Sequence, residues 1–190
     1  MKKCIPVLLM LTILICGCSK QAQESTSEPV SDTFFAMDTT MDFRIYGDKS
    51  LLQDAQNVIT DLEKKVSVTD SDSEIYKNAL EMCQRTNGAL DISIYPIVKA
   101  WGFTTGSYQV PDEETIQTLL TKVDYTQIQY DEASGNVTIS EGMTIDLGSI
   151  AKGYAGELAA RTLRDKGITS ALLNLGGNVQ TIGSKPDGSA

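Results

Sequence analysis

Apolar and polar positions alternate along this chain in segments whose period changes from two to about 3.6. Thirteen residues from Cys4 to Cys16 are apolar apart from Pro6 and Thr12. Residues 19–31 are polar and lack aromatics, and the folded body is expected to begin near Asp32. The alternation Met41-Asp-Phe-Arg-Ile45, within a β-favouring stretch from Phe34 to Tyr46, predicts a strand. Leu51, Leu52, Ala55, Val58, Ile59, Leu62 and Val66 recur at helical spacing and predict an amphipathic helix over 50–66. A second helix is predicted from Asp72 or Ser73 to about Arg85, closed by Asn87-Gly88. Pro96 permits a short helix that Trp101-Gly102 ends, and Pro111 with its acidic neighbours opens another. Residues 128–130 and 137–139 read as a hairpin. Strand 143–147, helix 151–166, strand 170–175, a turn at Gly176-Gly177-Asn178 and strand 179–182 follow. The predicted class is α+β, with a mixed sheet and flanking helices.

The apolar run near the start is short for a membrane span, follows Lys2-Lys3, and ends in Leu14-Ile15-Cys16-Gly17-Cys18. An aliphatic residue and two small residues before Cys18 resemble a bacterial lipobox. The reading is a signal peptide over 1–17, lipid on Cys18, a disordered tether over 18–31, and a folded domain over 32–190. The expected location is outside the cytoplasm, lipid-anchored to the outer face of the bacterial cytoplasmic membrane, or periplasmic. The alternative is a plain secretory leader with incidental cysteines.

Composition narrows the chemistry. The net charge of −9 argues against a nucleic-acid partner, which needs a basic face. The chain has no histidine, so Ser-His-Asp, Cys-His and His-ligated metal sites are excluded within these residues. Once Cys4, Cys16 and Cys18 are assigned to the leader and anchor, Cys83 is left alone, and a small buried role is expected for it.

The stretch Asp146-Leu-Gly-Ser-Ile-Ala-Lys-Gly-Tyr-Ala-Gly156 carries the strongest candidate chemistry. It reads as a strand end, a polar turn and a helix start. Such a turn can aim backbone N–H groups and a helix dipole at an anion, with Lys152 adding positive charge.

Four segments then act together: Ala36-Met-Asp-Thr-Thr-Met41; Gly88-Ala-Leu-Asp-Ile92 running into Pro96 and Trp101-Gly-Phe103; Asp146 to Gly156; and Leu173-Asn-Leu-Gly-Gly-Asn178. Their order and spacing resemble the ApbE family of flavin transferases. The resemblance implies the N-terminal part of that family's T-fold-related flavin transferase fold. It implies an FAD:protein FMN transferase that uses Mg²⁺, splits the FAD pyrophosphate, joins FMN to a Thr or Ser of an exported redox-complex subunit, and releases AMP. Some members hydrolyse FAD instead. By position, Met37, Ala89, Leu90, Asp91, Asp146 and Lys152 match FAD contacts, and Ser149 matches a backbone-oxygen ligand of Mg²⁺.

Each residue also has a plain structural reading. Met37 could be core, Asp91 a turn cap, Ser149 a helix cap, and Asp146 with Lys152 an ion pair. Asn174 to Asn178 could be a tight turn. Two departures from the family pattern stand out. The long stretch that normally follows Gly-Gly-Asn, with its histidine motif and metal ligands, is not in this sequence. The flavin-contacting insert near Asp70 to Glu74 is shortened. The resulting expectation is an incomplete, inactive form of a transferase lineage. The alternative is a flavin-binding lipoprotein without catalysis.

Overall fold

The computed structural model describes residues 28–67 and 74–189. The predicted leader, Cys18, and the expected shortening around Asp70 to Ser73 lie outside those residues. The architecture is α+β: a four-stranded sheet and a two-stranded one, flanked by helices.

The first strand prediction resolves into a hairpin, β1 Val30–Ala36 and β2 Thr39–Ile45, beginning two residues before Asp32. Helices α1 Ser50–Ser67, α2 Glu74–Arg85, α3 Tyr95–Ala100 and α4 Glu113–Leu120 follow. A small hairpin, β3 Gln129–Tyr130 with β4 Val137–Thr138, leads to α5 Gly148–Asp165 and a last hairpin, β5 Ala171–Leu175 and β6 Asn178–Ile182.

The large sheet has the order β1-β2-β5-β6. Expected to be mixed, it runs antiparallel in every ladder among the described residues. On β2, Met41, Phe43 and Ile45 point inward while their neighbours are exposed, as the period-two pattern requires. These residues pack with Leu52, Ala55 and Ile59 of α1 and with Ala155, Ala159 and Leu163 of α5. Both long helices therefore cover one face of the sheet. The other face exposes Phe35, Leu172 and Val179. Phe34 meets Phe43 edge-on, with ring centroids 5.0 Å apart.

A second apolar cluster joins Ile75, Ala79 and Cys83 of α2 to Ile92, Ile128, Met143, Leu147 and Ala151. Cys83 is fully buried and unpaired, as expected, and burial pushes its thiol pKa up. Met37 and Tyr154 pack against both clusters.

One predicted strand does not form. Residues 143–147 are irregular. Met143 and Leu147 are buried in the second cluster, and the Asp146 N–H donates to the Ile92 carbonyl at 2.7 Å. The apolar alternation there reflects burial against helices, not pairing in a ladder.

Candidate functional site

The site is assembled at the end of the large sheet where two tight turns lie side by side. The hairpin register closes β1–β2 at Ala36 and Thr39, leaving Met37 and Asp38 as the turn. Both are left-handed, at φ 50° and 58°. Two consecutive positive φ values mark the type I′ geometry that matches strand twist. For side chains with a Cβ the left-handed region costs about 1–2 kcal/mol per residue. Part of the compensation is visible: the Met37 N–H donates to Glu63 Oε1 of α1 at 2.7 Å.

The second turn is Gly176-Gly177, at φ 62° and 96°. The Gly177 N–H donates to Asn174 Oδ1 at 2.9 Å, so the Asn174 to Asn178 segment is a closed turn in which Asn174 has a local job. A Cβ on Gly176 would overlap the Thr39 side chain. Glycine is required there both by φ and by the approach of the neighbouring hairpin.

Asp91 sits half-buried between elements. Its Oδ1 accepts from the Ser93 N–H at 2.9 Å and the Ser93 hydroxyl at 2.6 Å. Its Oδ2 accepts from the Tyr125 N–H at 3.0 Å. The Ser93 oxygen in turn accepts from the Asp124 N–H at 2.8 Å. Both carboxylate oxygens of Asp91 are therefore engaged in holding the loop, with Leu90 half-buried against the second cluster and Ala89 exposed beside it.

The start of α5 differs from the open anion cradle expected of it. Asp146 Oδ1 accepts from the Gly148 N–H at 2.8 Å. The Ile150 and Ala151 N–H groups both donate to the Leu147 carbonyl, at 3.0 and 2.8 Å. A carboxylate and a carbonyl thus take the Gly148, Ile150 and Ala151 N–H groups, because an aspartate two residues ahead of a helix folds back on it readily. Ser149 lies within the first turn and is exposed, while Leu147 takes the cap position. Lys152 is half-buried and makes no ion pair among the described residues; the Asp146–Lys152 bridge does not form.

Of the expected contacts, Met37 and Leu90 meet at the second apolar cluster and Asp146 is tied to Ile92, while Ala89 and Ser149 are exposed. Met37, Leu90, Ile150, Ala151 and Tyr154 border one apolar cluster, and the Ile92–Asp146 bond ties the 89–91 loop to the α5 entry. Two participants carry no obvious sequence signal. Glu63 is a charged residue beside the apolar stripe of α1, and Tyr154 donates to Glu74 Oε2 of α2 at 3.1 Å. Burial, then the hydrogen bond to Glu74, push the Tyr154 pKa up to about 12. Beside it runs a cleft of about 360 Å³, lined by Asp61, Leu62, Lys65, Glu74, Tyr154 and Leu158. None of the expected flavin contacts lines that cleft.

Mg²⁺ takes carboxylate, water and phosphate oxygens in octahedral geometry. No group of three or more His, Cys, Asp or Glu suited to a metal occurs among the described residues. The Ser149 carbonyl and a partly engaged Asp146 do not make a Mg²⁺ site by themselves.

Comparison with known proteins places this arrangement. Residues 75–190 match the model of the ApbE family. An FAD:protein FMN transferase of Klebsiella pneumoniae (strain 342) is 37% identical over 98 residues, 51% of this chain and 31% of the relative. The protein of the same description from Vibrio cholerae is 26% identical, with 96% of this chain and 61% of the relative covered. Among solved structures, the ApbE protein of Thermotoga maritima superposes with a TM-score of 0.72 at 25% identity, over 83% of this chain and 60% of that one. The flavin transferase ApbE from Vibrio cholerae shares the fold, with a TM-score of 0.72 at 20% identity. The chain spans about a third to three fifths of the length of these relatives. With well over half of its residues matched by the family model, the chain belongs to the ApbE family.

Proposed function

We propose that the protein is an FAD:protein FMN transferase and that this chain supplies the part that holds the flavin dinucleotide. In the overall reaction the hydroxyl oxygen of an acceptor Thr or Ser bonds to the phosphorus of the FMN half. The pyrophosphate P–O bond to the other half breaks, AMP leaves, and the hydroxyl proton is lost. The acceptor is a subunit of an exported redox complex. The protein reaches it from the outer face of the membrane, anchored through lipid on Cys18.

Within the chain, Met37 offers a soft contact to the isoalloxazine ring, and Ala89, Leu90 and the Asp91 loop border the dinucleotide. Asp91 acts by fixing that loop. Lys152 supplies a point charge to the pyrophosphate, and Asp146 shapes the entry to α5. Mg²⁺ belongs to the proposal as the cofactor of the whole reaction. The Ser149 carbonyl would be a donor to it beside the FAD phosphates, and the ion would neutralise charge on the pyrophosphate.

The observation that carries the reading is Lys152: a half-buried cation without an ion pair, at the start of α5, in a chain of net charge −9. Such a charge favours an anionic ligand. No helix among the described residues is long and apolar enough to cross a membrane, and the proposed anchor is the lipid on Cys18.

The test incubates purified protein with FAD, with and without Mg²⁺, and an exported acceptor subunit. Transfer gives AMP together with a fluorescent, covalently labelled acceptor. AMP without label means hydrolysis, and flavin uptake without AMP means a binding protein. No flavin uptake in either condition overturns the proposal.

A further inference from the structure

The geometry points to Glu63 as the positioning residue for Met37, an inference that rests on the flavin-contact reading of Met37. Three observations carry it. First, the Met37-Asp38 turn has two consecutive left-handed residues; Asp38 tolerates that conformation, but Met37 does not favour it and no glycine relieves it. Second, the Met37 N–H is taken by Glu63 Oε1 at 2.7 Å, from a residue 26 positions away in another layer of the fold. Third, the Met37 side chain is half-buried and touches both apolar clusters, so a small change in the turn moves it relative to Leu90 and the α5 entry.

Glu63 is well placed to transmit position. It stands on α1, which packs along α5, and Lys166, the residue that caps the end of α5, pairs with Asp54 of α1 at 2.6 Å. The helix that fixes Met37 is thereby fixed to the helix that carries Ser149 and Lys152. Glu63 touches the backbone of Met37 and acts on a ligand only through it. A carboxylate accepting from a backbone N–H forms a charge-assisted bond. Its direction sets where the turn points.

The test is a double-mutant cycle read by FAD titration of the full chain. Glu63→Ala is expected to weaken FAD binding roughly three- to tenfold. Glu63→Gln, which keeps an acceptor oxygen, should stay within about twofold. In a Met37→Ala background the added Glu63→Ala change should alter affinity by less than about twofold, because the route through Met37 is gone. An equal loss in both backgrounds, or no loss at all in a chain that binds FAD, overturns the assignment.

A chain that takes up no FAD sinks the flavin reading instead. The position of Met37 is then decided by its methyl NMR signal in ¹³C-methionine-labelled protein. Glu63→Ala should shift that signal and leave Met41 in place, while Glu63→Gln should leave both. A Met37 signal unmoved in Glu63→Ala refutes the inference; movement of Met41 as well would reveal a general packing role and refute it equally.

Discussion

Asp91 and Tyr125, 34 residues apart, are joined by a 3.0 Å hydrogen bond from the Tyr125 amide to the Asp91 carboxylate. The same carboxylate holds Ser93, whose side chain is fully buried. One acid therefore fixes the 89–93 loop against the segment leading into β3.

Asp91→Ala should destabilise the fold by about 2–3 kcal/mol, because it removes charge-assisted bonds and leaves the buried Ser93 hydroxyl and the Tyr125 amide short of acceptors. Asp91→Asn, which keeps an acceptor oxygen, should cost about half as much. Urea unfolding measures both. Stability unchanged in Asp91→Ala would show that the carboxylate serves a ligand alone.

Lys152→Gln should separate binding from folding. With no ion pair to lose, its unfolding free energy should stay within about 0.5 kcal/mol of the parent. FAD affinity should fall roughly ten- to a hundredfold if the ammonium meets the pyrophosphate, the range for a charge-assisted contact. Parallel FAD titration and urea unfolding decide it, and a variant that binds FAD normally removes Lys152 from the site.

Gly176→Ala should be much costlier than Gly177→Ala, although both glycines have positive φ. An added Cβ at 176 runs into the Thr39 side chain, while at 177 it meets open space. The expected losses are about 2–4 kcal/mol at 176 and about 1 kcal/mol at 177. Thermal unfolding compares them, and Thr39→Gly should recover part of the loss at 176. Equal losses would mean that backbone conformation alone sets the cost.

Tyr154 should titrate late. Its pKa is raised from 10.0 to about 12 in the folded protein, first by burial and then by the bond to Glu74. A raised pKa means that the folded state favours the protonated phenol. This stabilisation is therefore fully present below pH 10 and is lost as pH climbs from about 10 towards 12. Ultraviolet titration of the tyrosinate should lose its last component in Tyr154→Phe, and the alkaline fall in stability should become shallower. A native protein whose tyrosines all titrate near 10.0 would contradict the burial of Tyr154 and, with it, the bond to Glu74.

The helices were legible because their signals are local. The apolar spacing of Leu52, Ala55 and Ile59 and the stop at Asn87-Gly88 depend on neighbours in the chain, and both appear in the structure. The β-favouring stretch from Phe34 to Tyr46 shows no clear break at Met37-Asp38, because a type I′ turn usually carries glycine at its second position. Here the turn is held by Glu63, a partner that periodicity does not point to. Residues 143–147 misled for the opposite reason: Met143 and Leu147 alternate with polar neighbours but bury against helices, and the Asp146 amide finds its acceptor in Ile92.

The bonding of the candidate residues was legible only in part. Among the described residues, six aspartates, at 48, 91, 124, 131, 146 and 187, accept from the amide two residues on. This habit is readable from sequence as Asp followed at the second position by a small residue. It is why Asp146 closes over Gly148 and why Asp91 is committed to its own loop.

Met37 and Tyr154 belong to two apolar clusters at once. Neither cluster can lose its packing without disturbing the other, so the sheet layer and the α2 region should melt together. Amide exchange in α2 and in β2 should then report a shared opening event, not two independent ones.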